Sequence, residues 1–552
     1  MRTPHRTCNA RACAALLVCA AVAAASIVAG RAYAEPGDTR LASVSPTGKA
    51  THNAIATSIS SDGRWVAFMA ETTGEALVPQ PVAPEWQAYA RDTVGLRTWR
   101  VGVGAHGEAA NAAVEWPKIS ADGRHVVFRS RATNLVAGVQ DGRLHIFVQD
   151  LVTQVTELVS LSSQEVLSND DSFTGAPSAD GRFIVFASRG SNLVPNDTNA
   201  AGDVFVRDRL RGTTERVSVS SSGGQGDGES FWGPSVSQDG RYVGFASEAS
   251  NLVAGDTNGT TDGFVRDRAL GLTERISVGP HGEQASYGNV YWNSVVLNAT
   301  GRYVLFETPA RLTADDVDSS NDVYLRDREL DTTELISGPF PVSSRASYAS
   351  TPSISDDGRY VAFCTMEAFD PTDTFGRDVY VKDRLNGVFA QASVTSAGEL
   401  TYGDTSDAMI SGDGRYVAFS DWSIDLLTDE QRVADTQFNV FLHERKPVVV
   451  RYTLWPVSLD FGPQAIGSST RKTFWLRNRS RFNLPITTVR VEGADRGIFS
   501  VWHRCGPLLA VGEGCGLNVL FKPTSAGTKT ATLHVVIATS VRTQPVTGEG
   551  TR

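Results

Sequence analysis

The sequence predicts an all-β protein in two parts: a seven-bladed β-propeller closed by its N-terminal strand, followed by an immunoglobulin-like β-sandwich. Three observations predict it. A Gly-Arg return, preceded by Asp in six of its seven copies, recurs at near-constant intervals; each return is followed by a short apolar strand; and the last hundred residues break into about seven short alternating runs around two cysteines.

Residues 1–34 are expected to leave before folding. Arg2, Arg6 and Arg11 precede an apolar run from Ala12 to Ala29, which ends at Ala32-Tyr33-Ala34; basic, apolar and small-residue regions in that order are the layout of a secretory signal. Cys19 follows Leu17-Val18 and lacks the small residue a lipoprotein signal places before its cysteine, so lipidation is not expected. No later apolar run is long enough to span a bilayer. The expected product is secreted or periplasmic, associated with the cell envelope, monomeric and without a transmembrane segment. Losing the signal removes four Arg and no acids, leaving 47 basic against 61 acidic residues, a net −14. Residues 35–451 hold 35 basic and 56 acidic residues, whereas 452–552 hold 12 and 5. An acidic body with a basic tail argues against nucleic acid as the body's partner.

The propeller is expected over 35–447. Its returns centre on Gly63, Gly123, Gly181, Gly240, Gly301, Gly358 and Gly414, spaced 60, 58, 59, 61, 57 and 56 residues apart. A fixed period of this size marks a repeat architecture. Within a unit, Asp-Gly supplies the positive φ of a tight hairpin turn between a first and a second strand. The second strand, such as Tyr360-Val361-Ala362-Phe363, is apolar at nearly every position, as expected of a strand covered on both faces. A long polar loop leads to a third strand, Asp203-Val204-Phe205-Val206-Arg207-Asp208 in one unit, and a turn to a fourth, Thr214-Glu215-Arg216-Val217. Four strands repeated radially leave only short, protected edges. The seventh unit supplies three strands and then departs from the pattern. The fourth is found at the other end: Thr39 to Ser45, followed by Gly48, aligns with Thr214 to Ser220 and Gly223 at a constant offset of 175.

These returns, Ser-x-Asp-Gly-Arg before a Val-Ala-Phe strand, resemble the TolB-type, WD40-like propeller repeat over roughly 38–445. The resemblance implies the fold and leaves function open, since such propellers serve binding, docking and catalysis.

A sandwich is expected over 452–551. Ser458-Leu459-Asp460-Phe461-Gly462, Lys472 to Asn478, Cys505, Cys515 to Pro523, Ala531 to Val535 and Gly548-Glu549-Gly550 read as short alternating strands. Cys505 and Cys515, close together in an exported chain, read as a disulfide. The Leu-x-Phe-Gly entry, the Asn after the second strand, the paired Cys and the Phe-x-Pro step together resemble the Hydin-like, choice-of-anchor immunoglobulin-like domains. No sorting motif follows, so covalent anchoring is not expected.

No catalytic constellation emerges. The histidines are scattered, no paired metal spacing exists, and no Gly-x-Ser-x-Gly elbow is present. Each unit's return Arg (Arg64, Arg124, Arg182, Arg241, Arg302, Arg359, Arg415) faces an acid at the turn after the third strand (Asp92, Asp150, Asp208, Asp267, Asp327, Asp383, Glu444), which reads as a repeated structural ion pair. Cys364 reads as a buried small hydrophobe. Loops before the third strands carry oxygen ligands at alternate positions: Asp197, Asn199 and Asp203; Asp256, Asn258 and Asp262; Asp318 and Asp322. They are candidate Ca²⁺ ligands, although Asx-turn chemistry is the preferred reading and no other cofactor is expected. Trp116, Phe231, Trp232, Tyr291 and Trp292, near the starts of the first strands, are candidate binding residues. Long loops, acids and aromatics fall on one rim, which suits an envelope protein or glycan. The expected function is non-catalytic binding or scaffolding through that rim. The alternatives are a polysaccharide-active propeller enzyme with hidden loop acids, or a structural surface module. On the tail domain, Arg471, Lys472, Arg477, Arg479 and Arg481 form a basic strip.

Overall fold

The computed structural model describes residues 37–51, 53–72, 76–78, 86–230, 233–291, 295–338, 348–366, 376–433, 437–446, 450–480, 484–506, 508–537 and 540–552. Residues 1–34, expected as a signal, lie outside them, as do Phe231, Trp232, Trp292 and Arg481. Among the described residues no helix is long and apolar enough to cross a membrane. The chain divides into two compact units, the larger within 35–446 and the smaller centred on 447–552.

Among the described residues the larger unit holds seven four-stranded antiparallel sheets. Six are continuous in sequence: sheet 1 over 54–100, sheet 2 over 114–158, sheet 3 over 172–216, sheet 4 over 235–275, sheet 5 over 296–335 and sheet 6 over 349–391. Sheet 7 takes three strands from 405–444 and its fourth from Asp38–Leu41. That N-terminal strand pairs with Asn439–Glu444 in the register Thr39 to His443 and Leu41 to Phe441. It is held further by Thr39 Oγ1 donating to Val394 O at 2.7 Å and by the Oγ of Ser43, fully buried, which accepts from Val440 N at 3.0 Å.

Each sheet has the same interior. The second and third strands are buried along most of their length, and sheets 1 to 5 and sheet 7 carry a stacked cross-strand aromatic pair, such as Phe186 with Phe205 at 5.7 Å. The first strand of each sheet touches the first strand of the next, from sheet 1 through sheet 7 and back to sheet 1.

The returns stitch neighbouring sheets together. The Arg and the turn acid pair at 2.6–2.8 Å in sheets 1 to 6, and Arg415 Nε lies 3.0 Å from Glu444 in sheet 7. The acids of sheets 1 to 5 also accept main-chain N–H groups of their own turns, as Asp92 does from Val94 and Gly95. The aromatic after the return is gripped on both faces: Arg241 of sheet 4 and Arg328 of sheet 5 lie 4.7 and 4.4 Å from the Tyr242 ring, and the Phe183, Tyr303 and Tyr360 rings are gripped likewise. Cation–π contacts of this kind contribute about 0.5–1 kcal/mol each at exposed sites. Return glycines also pack against the ring of the preceding sheet, as Gly240 does against Phe183, and Gly63 of sheet 1, with φ +71°, sits likewise against the Tyr416 ring of sheet 7, where the first and last sheets meet.

The smaller unit is built from a four-stranded and a five-stranded sheet. They enclose one core in which the Phe461, Phe499 and Phe521 rings meet at 4.9–6.1 Å. Asn478, fully buried, donates Nδ2 to Leu509 O at 2.9 Å and accepts from Ser480 N at 2.8 Å, which explains an Asn after that strand. Cys505 and Cys515 form a disulfide with Cα atoms 5.4 Å apart.

Candidate functional site

The two ends of the larger unit differ. At the return end, backbone hydrogen bonds run from turn to turn: Ser61 N to Ala121 O, Asp122 N to Ala179 O, Ala179 N to Gln238 O, Gln238 N to Ala299 O, Asp356 N to Gly412 O, and Asp413 N back to Ser61 O. Inside that circuit, side chains reach between sheets that are not neighbours. Ser61 of sheet 1 donates Oγ to Asp356 Oδ2 of sheet 6 at 2.9 Å and accepts from Gln238 Nε2 of sheet 4 at 3.3 Å. These contacts bridge the axis and narrow that end with side chains.

The opposite end, where first strands begin and the long loops converge, carries residues that break the repeat. The first strands of sheets 1, 2, 3, 6 and 7 each contain a bulge; in sheets 2, 6 and 7 it lies between Glu115 and Lys118, Ser350 and Ser353, and Ser406 and Met409. Its first residue has positive φ in all three: Trp116 at 52°, Thr351 at 52° and Asp407 at 61°. A non-glycine residue in this region costs about 1–2 kcal/mol, and such strain gathers at ligand clamps and active sites. Trp116 is 37% exposed there, and Tyr291, which donates its N–H to Glu307 O at 3.0 Å, is 43% exposed. They belong to the first-strand regions of different sheets.

Seven described carboxyls around this end sit above their ordinary range, each chiefly through burial: Asp197, Asp256, Glu307, Asp316, Asp322, Asp407 and Asp421. Glu307, pushed up to about 7, accepts from Asn321 Nδ2 at 3.1 Å and from Thr351 N at 2.8 Å. Asp421, pushed up to about 6, accepts from Thr405 Oγ1 at 2.7 Å. Asp407 accepts from Ser406 Oγ at 2.7 Å. Asp322, also raised to about 7 by burial, accepts from Ser337 Oγ at 2.5 Å. Lys118 donates Nζ to Thr57 O at 2.6 Å, and burial lowers its pKa while Asp407 works in the opposite direction. Donors of the fold hold each of these carboxyls. Sequence reading missed Glu307, Asp407 and Lys118. The available signal was their departure from the repeat: the Glu307 position is Ala187, Ala246 or Cys364 in sheets 3, 4 and 6.

The loop acids divide into two kinds. In sheet 3, Arg216 Nη1 lies 3.1 Å from Asp197 and 3.0 Å from Asp203, and Asn199 donates Nδ2 to Asp203 at 3.2 Å. In sheet 4, Arg275 lies 3.3 Å from Asp256 and 3.4 Å from Asp262, with Asn258 donating to Asp262 at 3.1 Å. Of the two readings of these six residues, the geometry opposes the Ca²⁺ alternative rather than the preferred Asx-turn one: a guanidinium from the fourth strand lies between the carboxylates, and Asn199 and Asn258 accept from Ala201 N and Thr260 N while turning donor groups toward the acids. In sheet 5 the aligned fourth-strand residue is Leu335, and Asp318 and Asp322 gather with Asp316.

No protein-family model matches the chain, and no curated protein does. Among solved structures it is similar to the putative TolB of Agrobacterium tumefaciens, with 15% identity over 64% of this chain and 94% of that one and a TM-score of 0.33. It is similar to the WD40 repeats of RRP9, with 10% identity over 75% and 98% of the two chains and a TM-score of 0.41. A third is the GH74 xyloglucanase of Xanthomonas campestris, with 10% identity over 80% and 59% and a TM-score of 0.38. The described residues form an all-β chain whose larger unit repeats a four-stranded antiparallel sheet.

Proposed function

We propose that the larger unit is a seven-bladed propeller latched by Asp38–Leu41, that the smaller is a Hydin-like immunoglobulin-like sandwich, and that the exported protein is a non-catalytic binding or scaffold module. Its contact surface is the long-loop rim, and its partner an envelope protein or glycan. One observation carries this reading: Ser61, Gln238 and Asp356 bridge the axis at the return end, whereas the other end presents the strained, exposed Trp116 and the exposed Tyr291. Recognition by aromatic anchors amid polar groups suits that end.

The test compares capture of purified envelope polysaccharide, and of proteins from an envelope extract, by the wild type, Trp116→Ala, Tyr291→Ala and the opposite-end variant Gln238→Ala. The rim variants should lose capture while remaining folded, and Gln238→Ala should retain it. Loss by Gln238→Ala alone would place the contact at the wrong end. If removing 452–552 abolished cell association and the propeller alone bound nothing, the protein would instead be a structural module attached through its second domain.

A further inference from the structure

All three tryptophans of the smaller unit, Trp455, Trp475 and Trp502, are left out of its core, which is filled chiefly with Phe, Leu, Val and Ile side chains. They are 67%, 55% and 41% exposed, each more than Trp116 at the rim of the larger unit. Burying an indole is among the largest apolar gains open to a fold, and exposed apolar side chains that gather on one surface mark an interaction site.

The strand order puts all three on one face. Tyr452–Trp455, Thr470–Asn478, Gly514–Phe521 and Phe499–His503 are neighbours in that order in the four-stranded sheet. Side chains alternate between faces along a strand: Phe474 and Leu476 are fully buried, whereas Trp475 and Arg477 are exposed. Trp455 pairs with Trp475, Trp475 with Gly516, and Asn518 with both Thr473 and Trp502. Trp455 and Trp475 are therefore side by side, and Trp502 stands two strands further across and two residues along. Strand spacing and rise make the whole run about 16 Å. Gly516 keeps its middle low: a Cβ there would stand 3.8 Å from Cη2 and Cζ3 of Trp475, so the indole leans across the glycine and lies along the sheet. Beside it Thr473 donates Oγ1 to Asn518 Oδ1 at 3.0 Å, a polar pair at the centre of the face.

The charge on this face is positive. Arg471 and Arg477 occupy outward positions of the same strand as Trp475, and among the described residues no acid occupies an outward position of the four strands. Arg477 is set by its Nε donating to Gly512 O at 3.0 Å.

We propose that this face is a platform for an acidic polysaccharide, the indoles stacking on the C–H faces of successive sugar rings and Arg471 and Arg477 pairing with their carboxylates. An open face without walls suits an extended chain rather than a small ligand, which is held by enclosure. Insertion into a membrane surface needs a continuous apolar face, and Thr473 and Asn518 interrupt this one. A nucleic-acid strand is held mainly through many phosphates, more than two guanidiniums serve. The proposal concerns the smaller unit and does not depend on what the rim of the larger one binds.

The test titrates the protein beginning at residue 35 and its variants Trp475→Ala, Arg471→Gln and Trp116→Ala, each folded by circular dichroism, with polygalacturonate, alginate, neutral dextran, single-stranded DNA and anionic phospholipid vesicles. At least one acidic polysaccharide should quench the wild-type tryptophan fluorescence, and dextran should bind at least tenfold more weakly. Trp475→Ala should weaken binding of the acidic polymer at least tenfold. Arg471→Gln should weaken it several-fold and flatten its salt dependence, and Trp116→Ala should leave it unchanged. Failure of the wild type to bind either acidic polymer would overturn the proposal, as would equal affinity for dextran, tighter binding of DNA or vesicles, or full binding by both Trp475→Ala and Arg471→Gln. Loss in Trp116→Ala alone would also overturn it, by placing the polymer at the rim. Should Trp475→Ala not fold, undiminished binding by Trp502→Ala would overturn it.

Discussion

Replacing Gly63 with alanine probes the meeting of the first and last sheets. Gly63 holds φ +71°, and a Cβ added there would overlap the Tyr416 ring of sheet 7. The left-handed backbone costs an alanine about 1–2 kcal/mol, and displacing a packed ring costs about 1–3 kcal/mol more. Gly63→Ala should therefore destabilise the propeller by about 2–5 kcal/mol. Gly48→Ala is the control, since Gly48 has φ +83° and open space around the added Cβ; it should lose only the backbone part, about 1–2 kcal/mol. Tyr416→Ala removes the obstacle, so the double variant Gly63→Ala/Tyr416→Ala should be more stable than the two single losses imply, by about 1–3 kcal/mol. Urea denaturation of the four proteins measures the coupling. Additivity within about 0.5 kcal/mol would mean that the two residues do not touch and would refute a ring joined at that seam.

Three other outcomes follow from the same contacts. The return Arg holds Asp92, Asp208 and Asp267 below the usual carboxylate range; at Asp150, burial pushes upward but is outweighed by Arg124 and by the Val152 and Thr153 N–H groups, leaving it at about 2. Carboxyls depressed in the folded state stabilise it fully above their unfolded pKa of about 3.9, whereas the raised Glu307, Asp322 and Asp421 add stability as they take up protons below about pH 7; urea midpoints should therefore rise from pH 7 toward pH 4 and fall toward pH 2, with a shallower fall in Asp150→Asn. Reducing Cys505–Cys515, which closes a sequence separation of 10, should cost the smaller unit about 3 kcal/mol in chemical denaturation. Burial pushes the Cys364 thiol up to about 12, so the folded protein beginning at residue 35 should not react with a thiol reagent at pH 8, while the same protein unfolded and unreduced should titrate one thiol.

Much of this fold was legible because it is written locally and repeatedly. The Arg64–Asp92 type of pair could be read in all seven units because both partners recur at fixed places in the period, and the pairing of Asp38–Leu41 with Asn439–Glu444 showed as a constant sequence offset. Contacts that depend on a single copy were not legible. Ser61 and Asp356 are 295 residues apart and meet only because their turns share an axis. The candidate metal residues show the limit most sharply. Asp197 and Asp318 occupy similar acid-rich loops, and what separates them is a fourth-strand residue, Arg216 in one sheet and Leu335 in the other, beyond the span of any loop motif. The bulges behind Trp116 and Asp407 were hidden for a related reason: a left-handed residue inside a strand follows from the packing of neighbouring sheets, not from the propensity of Trp or Asp.

Hydrogen–deuterium exchange of the Asn439–Glu444 strand, compared between the protein beginning at residue 35 and one beginning at residue 46, tests the latch most directly. With the latch present, Asp38–Leu41 covers that strand's outer edge, and amides on both sides of it should exchange slowly. Its removal should selectively expose the amides that faced 38–41 and loosen the Gly63–Tyr416 seam, with little change in sheets 3 and 4. Identical exchange in the two proteins would contradict closure by the N-terminal strand.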